Sequence, residues 1–251
     1  MAMDIVIVDS YKSMSIKAAE IIAEQVRKKN DTVLGLATGS TPEGMYACLI
    51  EMYDEKKIDF SAVVTFNLDE YIGLPPDHPQ SYHHYMHRHF FDHVNVKAGN
   101  INIPHCEGRD PGSICREYER KIREAEGIDL QILGIGTNGH IGFNEPGEYL
   151  YTGTHLVELA EETIEANSRF FDSRGEVPEQ AVTMGVGSIM GAARIVLLAS
   201  GESKAEAVRK MCSGKVSTGH PASLLQLHRA VTVIADREAA SLLKNNNPAC
   251  Q

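Results

Sequence analysis

The sequence predicts a doubly wound α/β fold: a mostly parallel sheet with helices on both faces, Rossmann-like, in a single domain spanning residues 1–251. Seven short segments are continuously apolar and end in polar or glycine residues, the pattern of strands covered on both faces. Amphipathic helical stretches lie between them, so strand and helix alternate and the strands join through crossovers. The length suits one large core able to enclose a preformed pocket, and the composition points to neither disorder nor a fibrous repeat.

The elements follow in order. DIVIV (Asp4–Val8) is the first predicted strand, and SIKAAEIIAEQVRKK from Ser15 is the helix after it. TVLGLA (Thr32–Ala37) leads to the helix PEGMYACLIEMY from Pro42, and AVVTFNL (Ala62–Leu68) to the histidine-rich SYHHYMHRHFF from Ser81. INI (Ile101–Ile103) precedes GSICREYERKIREAEG from Gly112, and DLQILGI (Asp129–Ile135) runs into a glycine-rich loop. RIVLLAS (Arg194–Ser200), ESKAEAVRKM from Glu202 and AVTVIAD (Ala230–Asp236) complete the set, while SRGEVPEQ (Ser173–Gln180) is the most loop-like stretch. In such a sheet, ligands sit beyond the carboxyl ends of the strands, which is where the chemistry is to be sought.

Bulk properties narrow the function. A formal charge of -10 opposes non-specific attraction to nucleic acid or to an anionic membrane. No apolar run approaches the roughly 20 residues of a membrane span. Asp4 and Asp9 stand where a signal peptide would carry a basic lead, so a cytoplasmic location is expected. Five widely spaced cysteines without a C-x-x-C pair argue against a disulfide framework and a thiolate zinc site.

The stretch LGIGTNGHIGFNEPG (Leu133–Gly147) contains a formal G-x-G-x-x-G at Gly134, Gly136 and Gly139. A dinucleotide turn needs a helix immediately afterwards, and Gly142, Pro146 and Gly147 oppose one. The glycines, Gly134 among them, instead let the backbone approach a small ligand, and His140 and Glu145 are presented at a strand's carboxyl end. LATGSTPEGM (Leu36–Met45) follows the second strand, with Ser40 or Thr41 suited to the helix N-cap and Gly39 to close backbone approach. Free N–H groups there suit a phosphomonoester. Met45, standing where a nucleotide P-loop has its lysine, disfavours ATP.

TFNLDEYIGL (Thr65–Leu74) ends the third strand in Asp69 and Glu70, paired acids of which one, shielded from water, can serve as a general base. ANSRFF (Ala166–Phe171) supplies Arg169 and GESKAEAV (Gly201–Val208) supplies Lys204, a cation in a first helical turn where a bound anion would offset the helix dipole. His83, His84, His87, His89 and His93 lie on or just after one helix, and His83 and His87 share a face. Without an H-E-x-x-H glutamate or another ligand set, no metal site is predicted.

These motifs, together with AVTMGVGSIM and HPASLLQLH (His220–His228), resemble the glucosamine-6-phosphate deaminase (glucosamine-6-phosphate isomerase) family over almost the whole chain. The resemblance implies hydrolytic isomerisation of glucosamine 6-phosphate to fructose 6-phosphate and ammonia without an organic cofactor. It implies Asp69 as the base moving a proton from C2 to C1, His140 as the group assisting ring opening and Glu145 as its supporting carboxylate. Arg169, Lys204 and the loop Gly39, Ser40, Thr41 correspond to the phosphate site, and Glu70 and Gly134 are placed among the substrate contacts. Some relatives carry aspartate at the position of Asn138, which is expected to orient His140 by hydrogen bonding. The region YTGTHLVEL (Tyr151–Leu159) has His155, Val157 and Glu158 where an allosteric anion site would want cations, so a monomer or small homo-oligomer without allosteric activation is expected. Two other readings fit parts of the pattern: a 6-phosphogluconolactonase-like hydrolase, and a catalytically silent sugar-phosphate sensor. The intact NLDEYIGL and GHIGFNEP segments favour the deaminase.

Overall fold

The computed structural model describes residues 3–106, 108–159, 164, 174 and 177–243. Its strands, in chain order, are β1 (Asp4–Val8), β2 (Val33–Leu36), β3 (Val64–Asn67), β4 (Asp69–Tyr71), β5 (Ile101–Asn102), β6 (Leu130–Leu133), β7 (His155–Glu158), β8 (Gln180–Thr183), β9 (Arg194–Ala199) and β10 (Val231–Asp236). Its α-helices are α1 (Tyr11–Lys28), α2 (Ser40–Asp54), α3 (Tyr82–His89), α4 (Pro111–Glu124), α5 (Val186–Met190) and α6 (Ala205–Met211).

All seven continuously apolar runs join one parallel sheet in the order β1-β10-β9-β6-β2-β3-β5. Every residue of β2 and β6, at its centre, is buried, which is why neither shows polar alternation. The chain places β2 mid-sheet, builds outward through β3 and β5, then returns to set β6 on the other side of β2. Winding reverses between β2 and β6. That reversal opens a crevice beyond the carboxyl ends of these two strands.

Helix α1 begins earlier than its apolar spacing suggests, because the Ser10 hydroxyl caps it by accepting from the Ser13 N–H at 3.3 Å. It buries Met14, Ala18, Ile22 and Val26 along one stripe and packs on α2. Gly44 permits that contact: a Cβ there would fall 2.4 Å from the Ser15 hydroxyl. This glycine serves helix packing.

The sequence pattern did not announce a second, antiparallel sheet, ordered β4-β8-β7. It meets the main sheet at Leu68, whose N–H donates to Leu36 O (3.0 Å) while its carbonyl accepts from the Met184 N–H (2.7 Å). The chain therefore passes from β3 straight into β4, and the paired acids lie on a strand. Side chains alternate along a strand, so Asp69 and Glu70 face opposite ways.

Candidate active site

A cavity of about 1210 Å³ lies at the winding reversal. The turn after β2 contributes Thr38, Gly39, Ser40 and Thr41, and β4 contributes Asp69; the loop after β6 adds Gly134, Asn138, His140 and Glu145, and the turn after β9 adds Lys204. Residues more than a hundred positions apart thus meet because their strands end side by side.

Asp69 is 6% exposed, with Tyr71 and Phe143 also lining the cavity. Burial, reinforced by the neighbouring Glu70 charge, pushes its carboxyl up to about 8. Gly142 keeps space beside it: a Cβ there would stand 3.0 Å from the Thr183 hydroxyl and 3.7 Å from Asp69 Oδ2. Glu70, expected among the substrate contacts, does not line the cavity. Its carboxylate accepts the N–H groups of Tyr71 (2.8 Å), Tyr82 (2.9 Å) and His83 (2.8 Å), holding the first turn of α3 against β4. Burial nevertheless pushes it up to about 7 against those three donors.

The loop after β6 closes on itself through the Gly136 N–H to His140 O and the Gly139 N–H to Gly136 O, both 3.0 Å. The His140 ring lies so close over Gly136 that a Cβ would come within 2.3 Å of it. The His220 ring packs equally closely on Gly139, which has φ +90, and joins it to Ala207 O at 2.9 Å. These glycines seat imidazoles. His140 Nδ1 is 3.0 Å from Glu145 Oε1, at contact distance though off the ideal hydrogen-bond line. Asn138 donates to Glu145 Oε2 (2.7 Å) and accepts the His140 backbone N–H (3.1 Å). The amide therefore orients the carboxylate and the loop backbone. The hydrogen bond expected between Asn138 and His140 is made, at the His140 backbone N–H.

Helix α2 starts at Ser40, with Gly39 as its N-cap at φ +92 and no capping side chain. This corrects the expectation that Ser40 or Thr41 would cap: the positive φ requires glycine, and both hydroxyl residues fall inside the first turn. Uncapped N–H groups and the helix dipole there suit an anion. Lys204, ending the short turn Glu202–Lys204 ahead of α6, adds a cation whose pKa burial lowers. Arg169 lies outside the described residues. On α3, the His83 and His87 rings lie against each other, tilted, with centres 4.5 Å apart and His87 pairs with Asp92, whereas His84 and His89 line the cavity with Tyr85 and Arg88. Among the described residues no cluster of three or more His, Cys, Asp or Glu is arranged to hold a metal ion. Sequence spacing gave no sign that α3 walls the cavity.

A shielded carboxylate, an imidazole–carboxylate pair and an anion cradle in one crevice of a doubly wound sheet define an α/β protein equipped for acid–base chemistry on a small anionic ligand. A family model described as glucosamine-6-phosphate isomerases/6-phosphogluconolactonase matches residues 9–234, and the chain belongs to that family. It is 58% identical over 245 residues, covering 98% of this chain and 97% of the relative, to a Thermoanaerobacter sp. protein named glucosamine-6-phosphate deaminase. A Halothermothrix orenii protein of the same name is 59% identical over 241 residues, with 96% and 100% coverage. A solved structure described as a monomeric glucosamine-6-phosphate deaminase matches with TM-score 0.92 at 48% identity, covering 96% of this chain and all of that one (100%). A 6-phosphogluconolactonase from Trypanosoma brucei shares the fold, with TM-score 0.77 at 18% identity over 96% of this chain and 99% of that one.

Proposed function

We propose that the chain is a cytoplasmic glucosamine-6-phosphate deaminase, converting glucosamine 6-phosphate and water to fructose 6-phosphate and ammonia, as a monomer or small homo-oligomer. The observation that carries this reading is the convergence of Asp69, the His140–Glu145 pair, Lys204 and the α2 start on one cavity. The names of the most similar relatives support it.

The phosphate docks on the N–H groups of the α2 first turn and on Lys204, with Arg169 as a further cation, fixing the sugar remote from the reacting carbons. His140, its Nδ1 turned toward Glu145, takes the proton of the C1 hydroxyl and hands one to the ring oxygen as the pyranose opens, and Asn138 holds Glu145 in place. The resulting aldehyde acidifies the C2 hydrogen. Asp69 removes that proton as the substrate's ammonium gives one to the aldehyde oxygen, forming an enolamine, and returns a proton to C1, leaving a C2 iminium; water adds there and ammonia departs. A carboxyl pushed up to about 8 is a stronger base than an exposed one but is largely protonated at neutral pH. The substrate's ammonium, bound beside it, favours the carboxylate and so offsets that cost.

The test is a coupled assay of ammonia and fructose 6-phosphate from glucosamine 6-phosphate. Equal release of both is expected. Hydrolysis of 6-phosphogluconolactone without ammonia would overturn the reading.

A further inference from the structure

The anion cradle is shaped by two hydroxyls from outside its own loop. Tyr85 on α3 donates to Gly39 O at 2.7 Å, and Tyr11 at the start of α1 donates to Ser40 O at 2.9 Å. In a planar trans peptide, the C=O of one residue and the N–H of the next point in opposite directions. A hydroxyl that anchors the Gly39 carbonyl therefore sets the direction of the Ser40 N–H, and one that anchors the Ser40 carbonyl sets that of the Thr41 N–H. Gly39 has neither a capping side chain nor a Cβ to limit its rotation, so the Gly39–Ser40 peptide needs such an anchor. The two anchors differ in kind. The Tyr11 hydroxyl also accepts the Gly44 N–H at 2.8 Å, placing it between the donor and acceptor of an i to i+4 pair of the helix's first turn. Tyr85 is the side-chain donor to Gly39 O among the described residues, lines the cavity itself and is half-buried, and that burial pushes its phenol up and keeps it a donor.

We propose that Tyr85 is a positioning residue for the sugar-phosphate site, holding the Gly39–Ser40 peptide so that the Ser40 N–H meets the phosphate, with Tyr11 as a weaker second anchor. This rests on the phosphate assignment above. Loss of the Tyr85 hydroxyl frees the peptide to rotate, whereas loss of the Tyr11 hydroxyl lets the Gly44 N–H reach Ser40 O directly.

The experiment compares wild type, Tyr85→Phe and Tyr11→Phe by calorimetric titration with inorganic phosphate and by steady-state turnover of glucosamine 6-phosphate. For Tyr85→Phe the phosphate Kd and the KM rise together by about three- to tenfold, the scale of one lost hydrogen bond, with kcat within about twofold. For Tyr11→Phe the rise is smaller in both. An unchanged phosphate Kd in Tyr85→Phe, or a fall in kcat with KM unchanged, overturns the inference. Wild type that binds phosphate but releases no ammonia refutes the activity assignment, while the titration still decides the role of Tyr85.

Discussion

Asp69 and Glu70 are consecutive in β4, yet one carboxyl faces the cavity and the other accepts the backbone N–H of its strand neighbour Tyr71 and two at the start of α3. The strand's alternation separates a cavity-facing acid from one bound to the backbone, while their proximity lets the Glu70 charge raise the cost of ionising Asp69.

That coupling predicts a pH effect. Asp69 must lose its proton to act as a base, so kcat/KM rises with pH and levels off near the value of about 8 to which its carboxyl is pushed. Replacing Glu70 with Gln removes the charge that helps raise it. The acidic limb of the Glu70→Gln pH profile is expected at lower pH than in wild type, and identical limbs would count against the coupling.

Stability follows the same group with a definite sign. In the unfolded chain Asp69 ionises near its usual value of about 4, whereas in the folded chain it keeps its proton up to about 8. Between those values the unfolded state binds fewer protons, so folding weakens as pH rises, by up to about 1.4 kcal/mol per unit. The favourable term is complete at low pH and lost through the folded value. Asp69→Asn should show a correspondingly flatter dependence in denaturant unfolding between pH 5 and 8 (about three units of that window). Parallel curves would exclude a buried, protonated Asp69.

Gly136 tests the seat of His140. A Cβ at 2.3 Å from the ring must displace it. Gly136→Ala should lose about a hundredfold in kcat, the scale of a misplacement near 1 Å, while phosphate binding is retained. For His140→Gln ring opening becomes limiting, so turnover falls by about a hundredfold while binding of an open-chain analogue is far less affected. Equal loss of both in either variant would contradict the assignment.

Lys204 carries opposite expectations with and without ligand. Its burial lowers the ammonium pKa, so the charged lysine costs stability at neutral pH when no anion is bound. Lys204→Met should melt higher than wild type in plain buffer, gain little from added phosphate and show a KM raised by about tenfold or more. A lower Tm in plain buffer would argue that the lysine is satisfied by the protein itself.

The parallel sheet was legible because its strands read as continuous apolar runs, fully buried in β2 and β6 and partly exposed in the edge strands β1 and β5, and all seven runs join it. The small sheet was not. β4 has three residues and abuts β3, and β7 exposes alternate side chains, so neither presents an apolar run long enough to stand out. The positions of Asp69, His140, Glu145 and Lys204 followed from strand ends, which sequence can locate. Sequence could not show that Glu70 faces the α3 backbone and not the cavity, because one residue of strand register decides which face an acid occupies. The role of Tyr85 depends on a contact between residues 46 positions apart, for which local spacing carries no signal.

The most direct test is exchange of the C2 hydrogen of glucosamine 6-phosphate with solvent deuterium, followed by NMR in wild type and Asp69→Asn, with binding measured in parallel. We expect exchange in wild type, and in Asp69→Asn none despite binding within about threefold of wild type. Normal exchange in the variant would mean that another group moves the proton.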